Sequence, residues 1–353
     1  LLTVAACNKQ EHKNNKLLLD NAAELMETDH KQALSLLNNI NANLLNEDES
    51  AWFTLLQVRA WNKEDMNISS SDVSVLSAKD YFTYHNNIEK SVYASFVYAH
   101  IYLAEGDLNR ALYYFLQADE LAEKADYKIS HLIYSSIPYN IALIYRKEQK
   151  YKEALSYLDK ALKYNFINAG KYEGKLYALE LKGIIFDETS QSDSALVYFE
   201  KALNVADLHD DISGKSRIFH NQSRLYSKLK SYALAENKCW QAIALTQADD
   251  SIRLGQLHIR LAQLHKEVNQ LDSVFVNIHK AKDFIKISNI NYQATIHRIL
   301  YEVEEKRGNT LKAKEYKELY EDYQKQKNKK PDPKVIQLEE RIKQEQADRI
   351  SSM

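Results

Sequence analysis

The chain is poor in the residues that punctuate most folds. Of 353 residues only 7 are glycine and 3 are proline. So few chain-breakers argue against a β-sandwich or a glycine-rich nucleotide fold and suit long uninterrupted helices. Two cysteines, Cys7 and Cys239, supply neither a disulfide framework nor a zinc site. An excess of one charge is also missing. The 47 basic and 49 acidic residues are interspersed and the net charge is -2, so no basic patch points to nucleic acid and no acidic tail is present. No run of about 20 apolar residues reads as a membrane span. No HExxH, CxxC, GxSxG or phosphate-loop pattern occurs, and the sequence therefore calls for no cofactor or metal and no catalytic residue.

What is present is tyrosine, 24 residues of it, and a repeat. Small residues recur at Ala111, Ala154, Ala195, Ala235, Val274 and Ala313, spaced 39 to 43 residues apart. Seven residues after each come Ala118, Ala161, Ala202, Ala242, Ala281 and Tyr320. Nine residues before each come Tyr102, Tyr145, Phe186, Tyr226, His265 and Glu304. A small–large pattern at this period is the signature of a solenoid of helical hairpins, in which each unit buries its apolar face only by stacking on the next.

The unit Val92–Lys124 carries the pattern most fully. Tyr98, Ala99 and Tyr102 lie on its first helix, Gly106-Asp107 at its turn, and Ala111, Phe115 and Ala118 on its second helix. This resembles the tetratricopeptide repeat, where small residues let two helices approach and large ones fill the space beside them. The next units match at Ala142, Tyr145, Ala154, Leu158 and Ala161; at Gly183, Phe186, Ala195, Phe199 and Ala202; and at Ser223, Tyr226, Ala235, Cys239 and Ala242. The fifth unit has Ala262, His265, Val274, Ile278 and Ala281. The sixth keeps Gly308-Asn309 and Ala313 but departs at Tyr301, Glu304 and Lys317, as a more polar terminal cap would. The resemblance implies an all-α, right-handed α-solenoid with a C-terminal helical extension. The common repeat is about 34 residues long. The roughly 5 to 9 extra residues amount to about two helical turns, expected partly in loops at Lys124–Ser130, Asn165–Gly174 and Asp207–Gly214.

Four segments follow: 1–16, 17–91 (divergent helical hairpins), 92–325 (the repeat array) and 326–353 (a basic, proline-containing linker and charged helix). In 17–91 the helical spacing includes Leu18, Ala22, Leu25, Ala33, Leu37 and Ile40, then Trp52–Trp61, and Asp72 or a nearby serine caps the helix beginning at Val73. The opening Val4-Ala5-Ala6-Cys7 resembles a bacterial lipobox, which implies cleavage before Cys7 and a lipid on its sulfur. Asn8–Lys16 then reads as a polar tether. The alternative is an apolar N-terminal strand or helix start with an incidental cysteine. Asp29–Ile40, Ser70–Asp80 and Tyr98–Ala118 resemble a group of bacterial tetratricopeptide-repeat lipoproteins. That resemblance implies the cell envelope, periplasmic or surface-facing, and in that group a membrane span and a regulatory segment often follow the repeats. Pro331 and Pro333 stop the preceding helix. Val335, Leu338, Ile342 and Ile350 form a narrow apolar seam on the helix that resumes, a solvated linker or the start of a longer coil leading to a dimer interface or a membrane span.

The histidines and Cys239 read as packing. His258 and His265 lie two turns apart and lack the further ligands a zinc would need. Cys239 stands where Phe115, Leu158 and Phe199 stand, as a small hydrophobe. Binding is the remaining candidate. In tetratricopeptide arrays the first helix of each hairpin lines the groove. Carried over, the resemblance implies that Tyr93, Phe96 and His100; Tyr139, Leu143 and Arg146; Tyr177, Glu180 and Ile184; Arg217, His220 and Arg224; and Ile259, Gln263 and Lys266 line it. Aromatic residues and arginine are enriched at interface centres. These residues therefore suggest a seat for a peptide with an acidic group, unless the tyrosines are simply buried between repeats. The chaperone-tail clamp of some family members needs Lys and Asn where Tyr139, Leu143 and Glu180 stand, which argues against that specificity. The expected function is a non-enzymatic scaffold for a peptide or protein, anchored to the membrane through Cys7. The alternative is the ligand-sensing part of a signalling protein.

Overall fold

A computed structural model of the chain describes residues 2–64, 73–124, 131–167, 172–286 and 289–327. Among these residues there are sixteen α-helices and one short 3-10 turn, with no strand. The all-α hairpin array that the period predicts is therefore the fold. It divides into two compact units, 1–210 and 211–353. Among the described residues no helix is long and apolar enough to cross a membrane.

The first unit holds α1 (Leu2–Leu25), α2 (His30–Leu37), α3 (Glu47–Lys63), α4 (Val73–Tyr84), α5 (Ile88–Glu105), α6 (Leu108–Lys124), α7 (His131–Lys147), α8 (Tyr151–Ile167), α9 (Tyr172–Glu188) and α10 (Ser192–Leu208). The second holds α11 (Ile212–Lys228), α12 (Tyr232–Leu245), α13 (Ser251–Glu267), α14 (Leu271–Phe284), α15 (Ile290–Lys306) and α16 (Thr310–Lys327). Within each unit every odd-numbered helix pairs with the even-numbered one after it.

The small residues of the repeat sit where the helices of a hairpin meet. Ala99, Ala111, Ala118, Ala142, Ala154, Ala161, Ala195, Ala202, Ala235 and Ala242 are fully buried, as are Tyr102, Phe115 and Phe199 to within 1%. Tyr145, Phe186 and Tyr226 are half-buried. Gly183 shows why the position is small. A Cβ there would lie 2.6 Å from the Phe199 ring, a clash the packed interface has no room to relieve.

The turns inside the six hairpins from α5 onward share one backbone device. Each has a residue in the left-handed region: Gly106, Gln149, Ser190, Lys230, Asn269 and Gly308. The amide of the residue after it then reaches back five positions, to the carbonyls of Tyr102, Tyr145, Phe186, Tyr226, His265 and Glu304 in turn. This closes the exposed end of the first helix. It also explains why His265 and Glu304 keep the register although their side chains leave the family pattern. Asp107 accepts from the Arg110 amide at 2.9 Å and starts α6.

Three expectations change. Asn8–Lys16 is not a tether but belongs to α1, and Glu11, His12 and Asn15 in it have partners on the following segment. Asn15, 2% exposed, bonds both the carbonyl (3.0 Å) and the amide (3.3 Å) of Asn41, and His12 meets Glu49 at 2.9 Å. The Asp207–Gly214 insert extends helices rather than bulging, while residues 168–171 of the Asn165–Gly174 insert lie outside the described residues. α8 runs on to Ile167 and α9 begins at Tyr172, while only 209–211 separate α10 from α11. The third is the start of α3, which is Glu47 and not Trp52. Asn46 and Glu49 form a reciprocal capping box there. The expected cap at Asp72, most of the Lys124–Ser130 insert and the 328–353 linker and helix lie outside the described residues.

Candidate functional site

The first helices of the hairpins carry the expected groove residues, and the two units treat them differently. In the first unit, α5 presents Tyr93, Phe96 and His100 to Glu27 in the turn after α1, to α3 and to α6 rather than to solvent. Tyr93 is 6% exposed and Phe96 1%. Arg59 grips Glu27 with two nitrogens, at 2.9 and 3.0 Å, and Lys63 reaches the same carboxylate at 2.9 Å. The Tyr93 hydroxyl donates to it at 3.4 Å, and the Arg59 guanidinium lies 4.8 Å from the centre of the Phe96 ring. Burial disfavours charge on Glu27, yet Arg59 and Lys63 outweigh it and hold the carboxyl near a pKa of about 2. His100 lies against Phe96 and Phe115, and burial, then Arg59, keeps its imidazole well below the usual histidine range. Tyr93 and Phe96 are thus corrected from groove anchors to parts of a closed polar core. Glu180 is corrected too, being buried at 8%.

Farther along the first unit, Tyr139 and Tyr177 lie side by side with ring centres 6.2 Å apart, and Tyr177 stays exposed. Arg146 is paired with both oxygens of Glu188, at 2.9 and 2.5 Å. The Glu188 hydrogen bond raises the guanidinium pKa further. This arginine is already matched by a carboxylate of its own unit.

The second unit keeps an open cleft. α11 supplies His220 and Arg224, α13 supplies Gln256, Ile259, Arg260, Gln263 and Lys266, and α15 supplies Tyr292, Thr295 and Arg298. The cleft has two lobes of about 300 and 240 Å³ that share Arg224, Arg260 and Gln263. Lys228, Tyr232 and Glu267 close the larger lobe. Arg260 is oriented by the Ser223 carbonyl at 3.1 Å and the Gln263 amide oxygen at 3.2 Å. Lys266 and Arg298 converge on Glu302, the latter at 3.0 Å. The Gln256 amide donates to the Tyr292 hydroxyl. Burial, then Arg224, Arg253 and Arg260, drives the His220 pKa down to about 3, so its ring is neutral at ordinary pH and is no proton shuttle. Arg217 lies on the same helix, half-buried. The arrangement is suited to holding an anionic, hydrogen-bonding ligand.

Sequence reasoning missed Gln256, Arg260, Tyr292, Thr295 and Arg298. A signal was available. Positions nine, six and two residues before Tyr226 give Arg217, His220 and Arg224, and the same offsets from His265 give Gln256, Ile259 and Gln263. Applied to Glu304, they give Thr295, Arg298 and Glu302. The degraded motif of the last hairpin hid a register that the backbone keeps.

The remaining polar residues are structural. His258 donates through Nδ1 to Asn277 Oδ1 at 3.0 Å, Asn277 Nδ2 donates to His265 Nδ1 at 3.2 Å, and His265 Nε2 donates to Glu236 at 3.2 Å. Such a relay fixes both tautomers. It refines the packing role of His265, which is buried as a hydrogen-bonded link rather than as an aromatic filler. Cys239 is fully buried and donates to the Leu257 carbonyl at 3.4 Å, and burial pushes its thiol up to about 12. Among the described residues no group of His, Cys, Asp and Glu is placed to hold a metal.

The comparisons with known proteins agree with this fold. The sequence profile of the tetratricopeptide repeat matches residues 133–207. No curated protein matches the chain. The fold is similar to the apo quorum sensor NprR of B. thuringiensis (TM-score 0.64, 16% identity, 87% of this chain and 92% of that one). NprR has also been solved with its cognate peptide NprX (TM-score 0.61, 18% identity, 90% and 89%). Aspartyl phosphate phosphatase F of Bacillus subtilis (TM-score 0.56, 14% identity, 88% and 94%) and a tetratricopeptide repeat protein of Parabacteroides merdae ATCC 43184 (TM-score 0.52, 12% identity, 82% and 99%) are similar as well. At these identities the likeness is one of fold.

Proposed function

We propose that this chain, a tetratricopeptide-repeat protein, is a non-catalytic scaffold that binds a peptide or protein partner on the first-helix face of its repeats. One observation carries the reading. Register positions on α11 (His220, Arg224), α13 (Gln256, Ile259, Gln263) and α15 (Thr295, Arg298) line an open, cation-rich cleft, whereas Tyr93 and Phe96 at the same register on α5 are buried by packing. A cleft with hydrogen-bonding amides, one apolar wall and fixed charges is a recognition surface. The structure of NprR with its peptide supports this reading by analogy of fold. Crosslinking and mass spectrometry on intact cells tests it. Crosslinks from a partner should concentrate on α11, α13 and α15, and an even scatter over the chain would remove the reading. Hydrolysis of an aspartyl phosphate by the purified chain would remove the non-catalytic part.

The placement we propose is the bacterial cell envelope, with a lipid on Cys7. The support is the Val4–Cys7 pattern alone. Lipid anchoring needs more than one acyl chain to be stable, so palmitate labelling should be lost in Cys7→Ser. Labelling that persists in that variant rejects the anchor. A second reading, a ligand-sensing regulatory domain, is favoured by the fold shared with a protein called a quorum sensor. It predicts that a bound ligand alters a downstream output rather than only recruiting a partner.

A further inference from the structure

The two lobes of the second-unit cleft differ in chemistry, and that difference identifies the occupant more closely. The larger lobe is walled by Arg224, Lys228, Arg260, Lys266 and Arg298 against Glu267, and Glu302 is already engaged by Lys266 and Arg298. Cations therefore outnumber carboxylates. Among the described residues Arg224 makes no hydrogen bond or ion pair, although its charge acts on His220. Arg260 is held in place by the Ser223 carbonyl and the Gln263 amide oxygen. A guanidinium fixed beforehand presents a planar fork matched to a carboxylate at little further entropic cost. The smaller lobe has Ile259 and the Tyr292 ring beside the amides of Gln256 and Gln263. Primary amides both donate and accept, as a peptide backbone requires.

We propose that this cleft binds a short peptide segment in which an acidic residue is followed or preceded by an apolar one. The carboxylate sits against Arg224, Arg260 and Arg298, and the apolar side chain sits against Ile259 and Tyr292. The inference rests on the peptide-binding reading above and narrows it to a ligand chemistry. Size supports a peptide, since lobes of about 300 and 240 Å³ hold one or two side chains each. A polynucleotide would need a long basic track, and the chain has a net charge of -2. His220 provides an internal reporter. Burial lowers its pKa first and the neighbouring arginines lower it further, so a carboxylate seated on them relieves that repulsion and raises the imidazole pKa.

The test uses the full chain and two pools of fluorescein-labelled octapeptides. One pool has Glu fixed at two central positions with Leu beside them, and the other has Gln in place of Glu. Fluorescence anisotropy at low salt reads the affinity, with inorganic phosphate as competitor. The Glu pool is expected to bind about tenfold tighter, the effect of one well-formed charged hydrogen-bonding contact. Arg224→Gln should abolish that preference while leaving the Gln pool unchanged, and Arg146→Gln in the first unit should change neither. The imidazole resonances of His220 should show a pKa raised by the Glu pool alone. Equal affinity for the two pools, or an unaltered preference in Arg224→Gln, overturns the inference and leaves peptide binding standing. Displacement of the Glu pool by phosphate at equal concentration also overturns it, as it would mark a general anion site. Binding by neither pool removes peptide binding and this inference together. Should Arg224→Gln fail to fold by circular dichroism, Arg298→Gln serves the same comparison.

Discussion

The two units place arginine on the same face of the same kind of helix, with opposite results. In the first unit Arg59 is locked to Glu27 and Arg146 to Glu188, and aromatic side chains seal the surroundings of the former. In the second unit Arg224 faces a cleft beside Arg260 and Arg298. The lesson is that a groove position in a helical repeat has no fixed chemistry. It becomes structural where a neighbouring hairpin supplies the counter-charge and covers it, and becomes available for a ligand where the neighbour supplies another cation. Terminal hairpins have more freedom to do the former, because α1 and α3 are released from the family pattern.

The strongest way to break this comparison is Arg59→Met. It strands Glu27 in a buried site with Lys63 as its remaining cation, and removal of one partner of a buried pair costs about 3–5 kcal/mol. Urea denaturation should show the loss, and a cost near zero would mean that the cluster is solvated and the first-unit face open. Acid gives the next effect. The folded pKa of Glu27 is depressed from 4.5 to about 2, so its contribution is present above about pH 4.5 and is lost as pH falls toward 2. The size is up to about 3 kcal/mol. His100 and His220, one in each unit, both have lowered pKa values, so both units lose stability as pH falls below about 6.5. The Glu27 part is distinguished by its absence from the pH profile of Glu27→Gln.

A smaller effect compares the hairpin turns. Gly106 and Lys230 occupy equivalent left-handed positions, one in each unit. Gly106→Ala should cost about 1 kcal/mol, and Lys230→Gly should gain roughly 0.5–1 kcal/mol, because only glycine avoids the Cβ clash there. Thermal melts of the two variants should move in opposite directions. The smallest expected effect is that of Arg224→Gln on stability, within about 0.5 kcal/mol. A large loss would show that Arg224 is structural like Arg59 and would erase the contrast between the units.

The turn device shows how much was legible in advance. The Tyr102-to-Glu304 series marks the carbonyls that close each first helix, so periodicity alone located six hairpins and their turns, even where side chains had drifted to His265 and Glu304. The cleft was half legible. His220 and Arg224 followed from the register, and Arg298 was within reach of the same rule. Arg260 was not, since it lies one residue off the register and enters the cleft only because Ser223 and Gln263 aim it there. Tyr93 and Phe96 had the right register and the wrong surroundings.

The sequence by itself determined the architecture, because a repeat of small and large residues can be satisfied by stacking like on like and by little else. It also assigned Tyr102, Tyr145, Tyr226, Cys239 and His265 to the packing positions of the repeat, where the structure buries or half-buries them. Only the tertiary structure decided which polar residues were left for a partner. Charge neutralisation and burial depend on side chains 30 or more residues apart in sequence, as Glu27 and Arg59 are, and no local pattern records whether such partners meet.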